Sequence, residues 1–133
     1  MNHIKKIAYV IVVCASALHA THKWCVVGGG PAGIVVVGLL LDLNVPGKDI
    51  LWVDPEFNVG RMGQYYQTVP GNARTGTYVD FIAACQAFQA CAPNALNQLK
   101  QYDPTSECQL SVIIGPLQDI THGLRDLVDE QQT

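Results

Sequence analysis

Trp24-Cys25-Val26-Val27-Gly28-Gly29-Gly30-Pro31-Ala32-Gly33-Ile34 is the stretch on which the reading of the whole chain turns. Residues 24–28 form a short apolar run that ends in glycines. Apolar side chains at consecutive positions predict a strand covered on both faces, as in a parallel sheet, and Cys25 is expected inside it as a small hydrophobe. Gly28, Gly30 and Gly33 keep the spacing G-x-G-x-x-G. The next residues, Ile34 to Leu43, read as an apolar helix stopped by Asn44, Pro46 and Gly47. Residues 49–54, Asp-Ile-Leu-Trp-Val-Asp, predict a second strand. Strand, turn, helix, turn and strand follow one another within about thirty residues, which defines a βαβ unit. Its strands are expected to be parallel neighbours joined by a right-handed crossover.

Each residue of the turn has a physical task. Gly28 permits the tight exit from the strand, Gly30 leaves the backbone open to a pyrophosphate, and Gly33 lets the helix pack closely on the strand. The free N–H groups at the helix start, Ala32 and Gly33 among them, hold an anion with help from the helix dipole. Pro31 has no N–H and loses nothing at a first helical position. Gly29 completes the turn. Asp54 stands 21 positions after Gly33, against about 20 for the acidic residue that accepts a ribose diol. A 2′-phosphate would be repelled there, which disfavours NADP. The alternative for Asp54 is a solvated turn aspartate before Pro55. As a ribose acceptor it is expected to matter for adenosine binding and little for stability. The fold class is therefore α/β, a Rossmann-type FAD/NAD(P)-binding βαβ unit.

From Pro55 to Gly76 turn residues dominate, and a loop of this length inside a small domain is usually functional. A helix is predicted from Tyr78 to Cys91, a short one from Ala95 to Tyr102 after Pro93, and an amphipathic one carrying Leu117, Ile120, Leu124, Leu127 and Val128. Pro116 suits the first turn of that last helix. Residues 110–114 read either as a strand or as the lead-in to it.

With 133 residues the chain has room for one domain. Lys5-Lys6, the apolar run from Ile7 to Leu18 and the small residues Ala15-Ser16-Ala17 and Ala20 describe a secretory signal peptide over residues 1–20, cleaved after Ala17 or Ala20. The run is too short to span a bilayer. Export and a partial dinucleotide-binding domain over residues 21–133 are thus expected, with no stable membrane span after processing. A net charge of −3 without a basic cluster gives nucleic acid no electrostatic footing. No Cys or His spacing matches a metal site. Cys85, Cys91 and Cys108 are either packing thiols or, in an oxidising compartment, partners in a disulfide.

The stretch Val26 to Gly33 resembles the first turn of the glutathione-reductase-like flavoproteins, which include the flavin-containing monooxygenases. Asp54, Gly60-Arg61-Met62-Gly63 and Val69-Pro70-Gly71-Asn72 resemble the segment after the second strand in that family. The resemblance implies FAD as cofactor, Asp54 on the adenosine ribose, and Arg61 and Gly63 in a loop near the flavin. NAD(P)H would be the co-substrate of full-length members. It covers residues 24–75 well and 76–133 loosely. This sequence carries one G-x-G-x-x-G, no redox C-x-x-C and no third Rossmann strand. It therefore resembles the N-terminal portion of such an enzyme, truncated before the third strand and helical towards its C-terminus, and is expected to be inactive by itself. Two further readings remain, an NAD-binding dehydrogenase fragment and a non-catalytic nucleotide-binding or interaction module. No catalytic residue is implied.

Overall fold

The computed structural model describes residues 22–132. The expected signal peptide, with Cys14, His3 and His19, lies outside the described residues. Strand β1 (Trp24–Val27) leads through the glycine turn into helix α1 (Pro31–Asp42), and strand β2 (Ile50–Val53) follows a short helical turn at Gly47–Asp49. The two strands pair in parallel, Trp24 opposite Ile50 and Val27 opposite Val53. Pro31 starts α1 at its first turn, where a missing N–H costs nothing. The helix stops because Asn44 takes a left-handed φ of 59°. The N–H of Asn44 then reaches Leu41 O, and that of Val45 reaches Leu40 O, both at 2.9 Å. This reversal occupies the last carbonyls of the helix.

The segment expected to be one long loop, 55–76, contains helix α2 (Gly60–Tyr65) and strand β3 (Pro70–Arg74). Strand β3 pairs antiparallel with β4 (Glu107–Gln109), a second small sheet apart from the first. The helix expected over 78–91 is two helices, α3 (Thr75–Ala83) and α4 (Gln86–Cys91). The break is held by Asp42, whose carboxylate accepts the N–H groups of Gln86 at 3.0 Å and Ala87 at 2.7 Å. An acceptor from the end of α1 thus caps a helix 44 residues further along the chain. Helix α5 (Pro93–Leu99) follows, and α6 (Ser111–Glu130) closes the described chain. Residues 111–114 belong to α6, so Pro116 sits inside the helix and not in its first turn.

The core lies between α6, α1, α4 and β2. Its fully buried members include Ile34, Val37, Ile50, Phe88, Ile120 and Leu124. Burial is one-sided along β1, whereas β2 buries Val53 as well as Trp52. Val26, Ile50 and Trp52 face the core, while Cys25 and Val27 are exposed. The expectation of a strand covered on both faces fails for β1 because the described helices cover a single face of this sheet. Alternating register then turns Cys25 and Val27 to water. No helix among the described residues is long and apolar enough to cross a membrane.

Helix α6 packs so closely on α4 that a Cβ on Gly123 would run into the carbonyl of Cys91. Burial pushes the Cys91 thiol up to about 11 from an ordinary 9.0. The protonated thiol is the form the fold favours, so its contribution is complete below pH 9 and disappears as the pH rises towards 11. Urea midpoints should fall across that window, and Cys91→Ala should flatten the fall. An equally steep decline in the variant would show that Cys91 is not its source.

Candidate functional site

The turn between β1 and α1 is built from contacts that only glycine tolerates. Gly28 has φ +113°. Its N–H donates to Val53 O, and its carbonyl accepts the indole N–H of Trp52, each at 2.8 Å. The same carbonyl occupies the place where a Cβ of Gly33 would stand. A Cβ on Gly29 would lie 2.9 Å from Asp54 Cγ. Gly30 differs from these neighbours. Its φ is an ordinary −79°, and a Cβ there would meet nothing within 4 Å. Side-chain substitution at Gly30 is therefore compatible with the fold, and the space beside it is open. Gly30 precedes the first turn of α1 and supplies no side-chain cap. The N–H groups that open α1 have no intrahelical acceptor by geometry. They offer an anion site next to that space.

Asp54 directly follows β2 and faces the turn. Its Oδ1 accepts the N–H of Gly29 at 2.8 Å, and its Oδ2 accepts those of Glu56 at 3.0 Å and Phe57 at 2.6 Å. The expectation that Asp54 matters little for stability is thereby corrected, because the carboxylate ties the turn to the following loop. A carboxylate oxygen has two acceptor positions, so Oδ1 keeps one for a further donor.

Two clefts flank the glycine turn. The first, about 180 Å³, is polar and lined by Asp54, Glu56, Asn58, Gly60, Arg61 and Gln64. A Cβ on Gly60 would lie 3.2 Å from Gly30 Cα, so α2 begins directly against the turn. The second cleft, about 340 Å³, is apolar, and Pro31, Ala32, Val35, Met62 and Phe81 are among its walls. Tyr78 also lines it. Burial, with a smaller part from Cys108, raises the pKa of that phenol and keeps it protonated. Helix α2 stands between the clefts, with Arg61 and Gln64 on one and Met62 on the other.

Gly28 to Gly33, Asp54 and Arg61 therefore come together. Gly63 is taken up elsewhere, since its missing side chain makes room for the carbonyl of Asn58. Gly71 of the Pro70-Gly71-Asn72 stretch lies against Tyr78 and the carbonyl of Cys108 in the second sheet. Tyr65 and Tyr66 are exposed. Among the described residues no cluster of His, Cys, Asp or Glu fits a metal ion, and Cys25, Cys85, Cys91 and Cys108 are thiols. Sequence reasoning misses Trp52 and Asp42. Trp52 has a legible signal, an indole two positions before the acidic strand end. Asp42 has none, because its partners are set by tertiary packing.

Over 104 residues the chain is 33% identical to monooxygenase AgnR1 of Paecilomyces divaricatus. The match covers 74% of this chain and 26% of that protein. No family model matches the chain, and no solved structure does. The identity points to a relation between this chain and the monooxygenases.

Removing the Asp54 carboxylate leaves three backbone N–H groups without their acceptor. Asp54→Ala should lower the unfolding free energy by about 1.5–3 kcal/mol, the scale of hydrogen bonds to a charged group. Urea denaturation measures this, and a change under about 0.5 kcal/mol would return Asp54 to the class of ordinary surface positions.

Proposed function

We propose that this chain binds FAD as the N-terminal segment of a flavin-dependent oxidoreductase of monooxygenase type. The observation that carries this reading is a glycine turn that meets one cleft through Asp54 and Gly60 and lines a second, apolar one with Pro31 and Ala32. A dinucleotide with a flat ring system has these three parts in the same order. The residues fit such a group: the space beside Gly30 is open, as a pyrophosphate requires. The N–H groups of Ala32 and Gly33 would hold the diphosphate, and Arg61 would add positive charge from the first cleft. The remaining acceptor position of Asp54 would take a ribose hydroxyl. The apolar walls of Pro31, Ala32, Val35 and Met62 would cover a ring and exclude water. Bound flavin would supply the redox chemistry, and the protein binding and orientation. The βαβ unit is read as Rossmann-type on the same grounds, with parallel strands and a glycine turn between them.

The chain spans 26% of the length of its monooxygenase relative. Turnover, electron donor and substrate therefore belong to the proposal for a larger assembly, and this chain alone is expected to bind without sustained turnover. Export after removal of residues 1–20 remains part of the same proposal.

Gly30→Val separates binding from folding, because the added side chain enters open space. The variant should keep the wild-type urea midpoint and bind FAD at least about tenfold more weakly, ~1.4 kcal/mol. Flavin fluorescence quenching and calorimetry with FAD, ADP and NAD read this out. Absence of binding by wild type to FAD and ADP alike would defeat the reading. Tighter binding of NAD than of FAD would transfer it to the dehydrogenases.

A further inference from the structure

Between Asp54 and Arg61 the backbone follows an uncommon path. Phe57, Val59 and Gly60 have φ values of 50°, 55° and 58°. Glycine accepts this region freely, whereas Phe57 and above all the β-branched Val59 are strained there. Such conformations persist where the surroundings over-determine them.

Several anchors do so. The Val59 side chain is fully buried in the core. Asp54 accepts the N–H groups of Glu56 and Phe57. The Phe57 ring meets Trp52 edge to face, centroids 5.1 Å apart. Two anchors come from α6, far away in sequence. The Arg125 guanidinium lies 4.1 Å from the Phe57 ring centroid, and Gln118 donates its amide to Asn58 Oδ1. The path ends with Gly60 against Gly30 and Arg61 on the polar cleft.

We propose that Arg125 and Gln118 are positioning residues, through which helix α6 holds the strained loop 54–60 so that Gly60 and Arg61 close on the glycine turn and set its affinity for an adenosine diphosphate group. This rests on the reading of the turn as a diphosphate site. Neither side chain lines the polar cleft. Their effect is on the cost of ordering the loop, which a preorganised site has already met before the ligand arrives.

The test uses the full chain and ADP, the half of the cofactor that lacks the flavin. Arg125→Ala should weaken ADP binding in calorimetry about fivefold, and Arg125→Lys, which keeps a cation over the ring, should restore it to within about twofold. Gln118→Ala should weaken it in the same direction. Asp119→Asn serves as control, because Asp119 is an exposed residue of α6 that accepts the Gln98 amide of α5 rather than touching the loop, and should leave ADP binding unchanged. Trypsin gives a second measure that needs no ligand, since cleavage follows the population of the open loop. The bond after Arg61, relative to that after Lys100, should be cut about fivefold faster in Arg125→Ala, with Lys again restoring it. Unchanged ADP affinity and unchanged Arg61 cleavage in Arg125→Ala would overturn the proposal, as would failure of Lys to restore both. If wild type binds no ADP, the diphosphate reading fails, and the cleavage ratio still decides whether α6 holds the loop.

Discussion

The Asp54 carboxylate is the junction on which the site depends. It directly follows β2, where the parallel strand delivers the chain beside the neighbouring turn. From there it collects one N–H from the glycine turn and two from the following loop. The carbon skeleton of the same side chain crowds Gly29, so the second glycine of the run is required by Asp54 itself. The turn, the strand end and the loop are therefore one unit, in which a change at any member is felt by the others. Charge-assisted hydrogen bonds of this kind are stronger than neutral ones. They also place negative charge next to the space beside Gly30. In the proposed site an incoming phosphate would be held by N–H dipoles and Arg61 against that field, while a ribose hydroxyl, being a donor, would meet it favourably.

Residues 22–54 are more legible in the sequence than those after Pro55, and the reason is physical. In the βαβ unit the signals are local. An apolar run ends in Gly28, Pro31 opens a helix, and Asn44 closes it with a left-handed turn. Each is decided within a few residues of the position that shows it. The site glycines are legible for the same reason, since the backbone demands they answer are nearly independent of context. After Pro55 the deciding partners are distant. The break between α3 and α4 is stabilised by Asp42, and β3 exists because it pairs with β4 more than thirty residues later. Pro116 resembles a helix start because proline removes no intrahelical hydrogen bond there. Packing of Ile113, Ile114 and Leu117 carries α6 past it, at the cost of one missing N–H donor in the helix interior.

Helix α6 also explains how a two-stranded parallel sheet is held at all. Parallel strands are normally buried and supported by further strands. Here the residues after the helix close the outer end of β2. The Gln132 amide donates to the carbonyls of Gly47 at 3.0 Å and Ile50 at 3.2 Å. Gln131 accepts the N–H of Gly47, and His22 donates to Gln132 Oε1. Side-chain amides thus take up backbone groups that a neighbouring strand would otherwise serve. The same helix fills the core with Ile120, Leu124 and Val128 and reaches over the loop with Arg125 and Gln118.

These roles share one consequence. A helix that supports the sheet, the core and the binding loop together couples the affinity of the turn to the stability of the fold. The donors proposed to meet a diphosphate are backbone N–H groups, which no substitution other than proline removes directly. Their alignment can be changed only through the contacts that hold the backbone, and those are Asp54 on one side and α6 on the other. In the proposed site few side chains would touch a ligand, so its selectivity would come from the spacing between its two clefts. That spacing is set by how closely Gly60 approaches Gly30. A side chain at Gly60 would both strain the left-handed φ and press on Gly30, so this glycine sets how closely α2 approaches the turn without belonging to the G-x-G-x-x-G run.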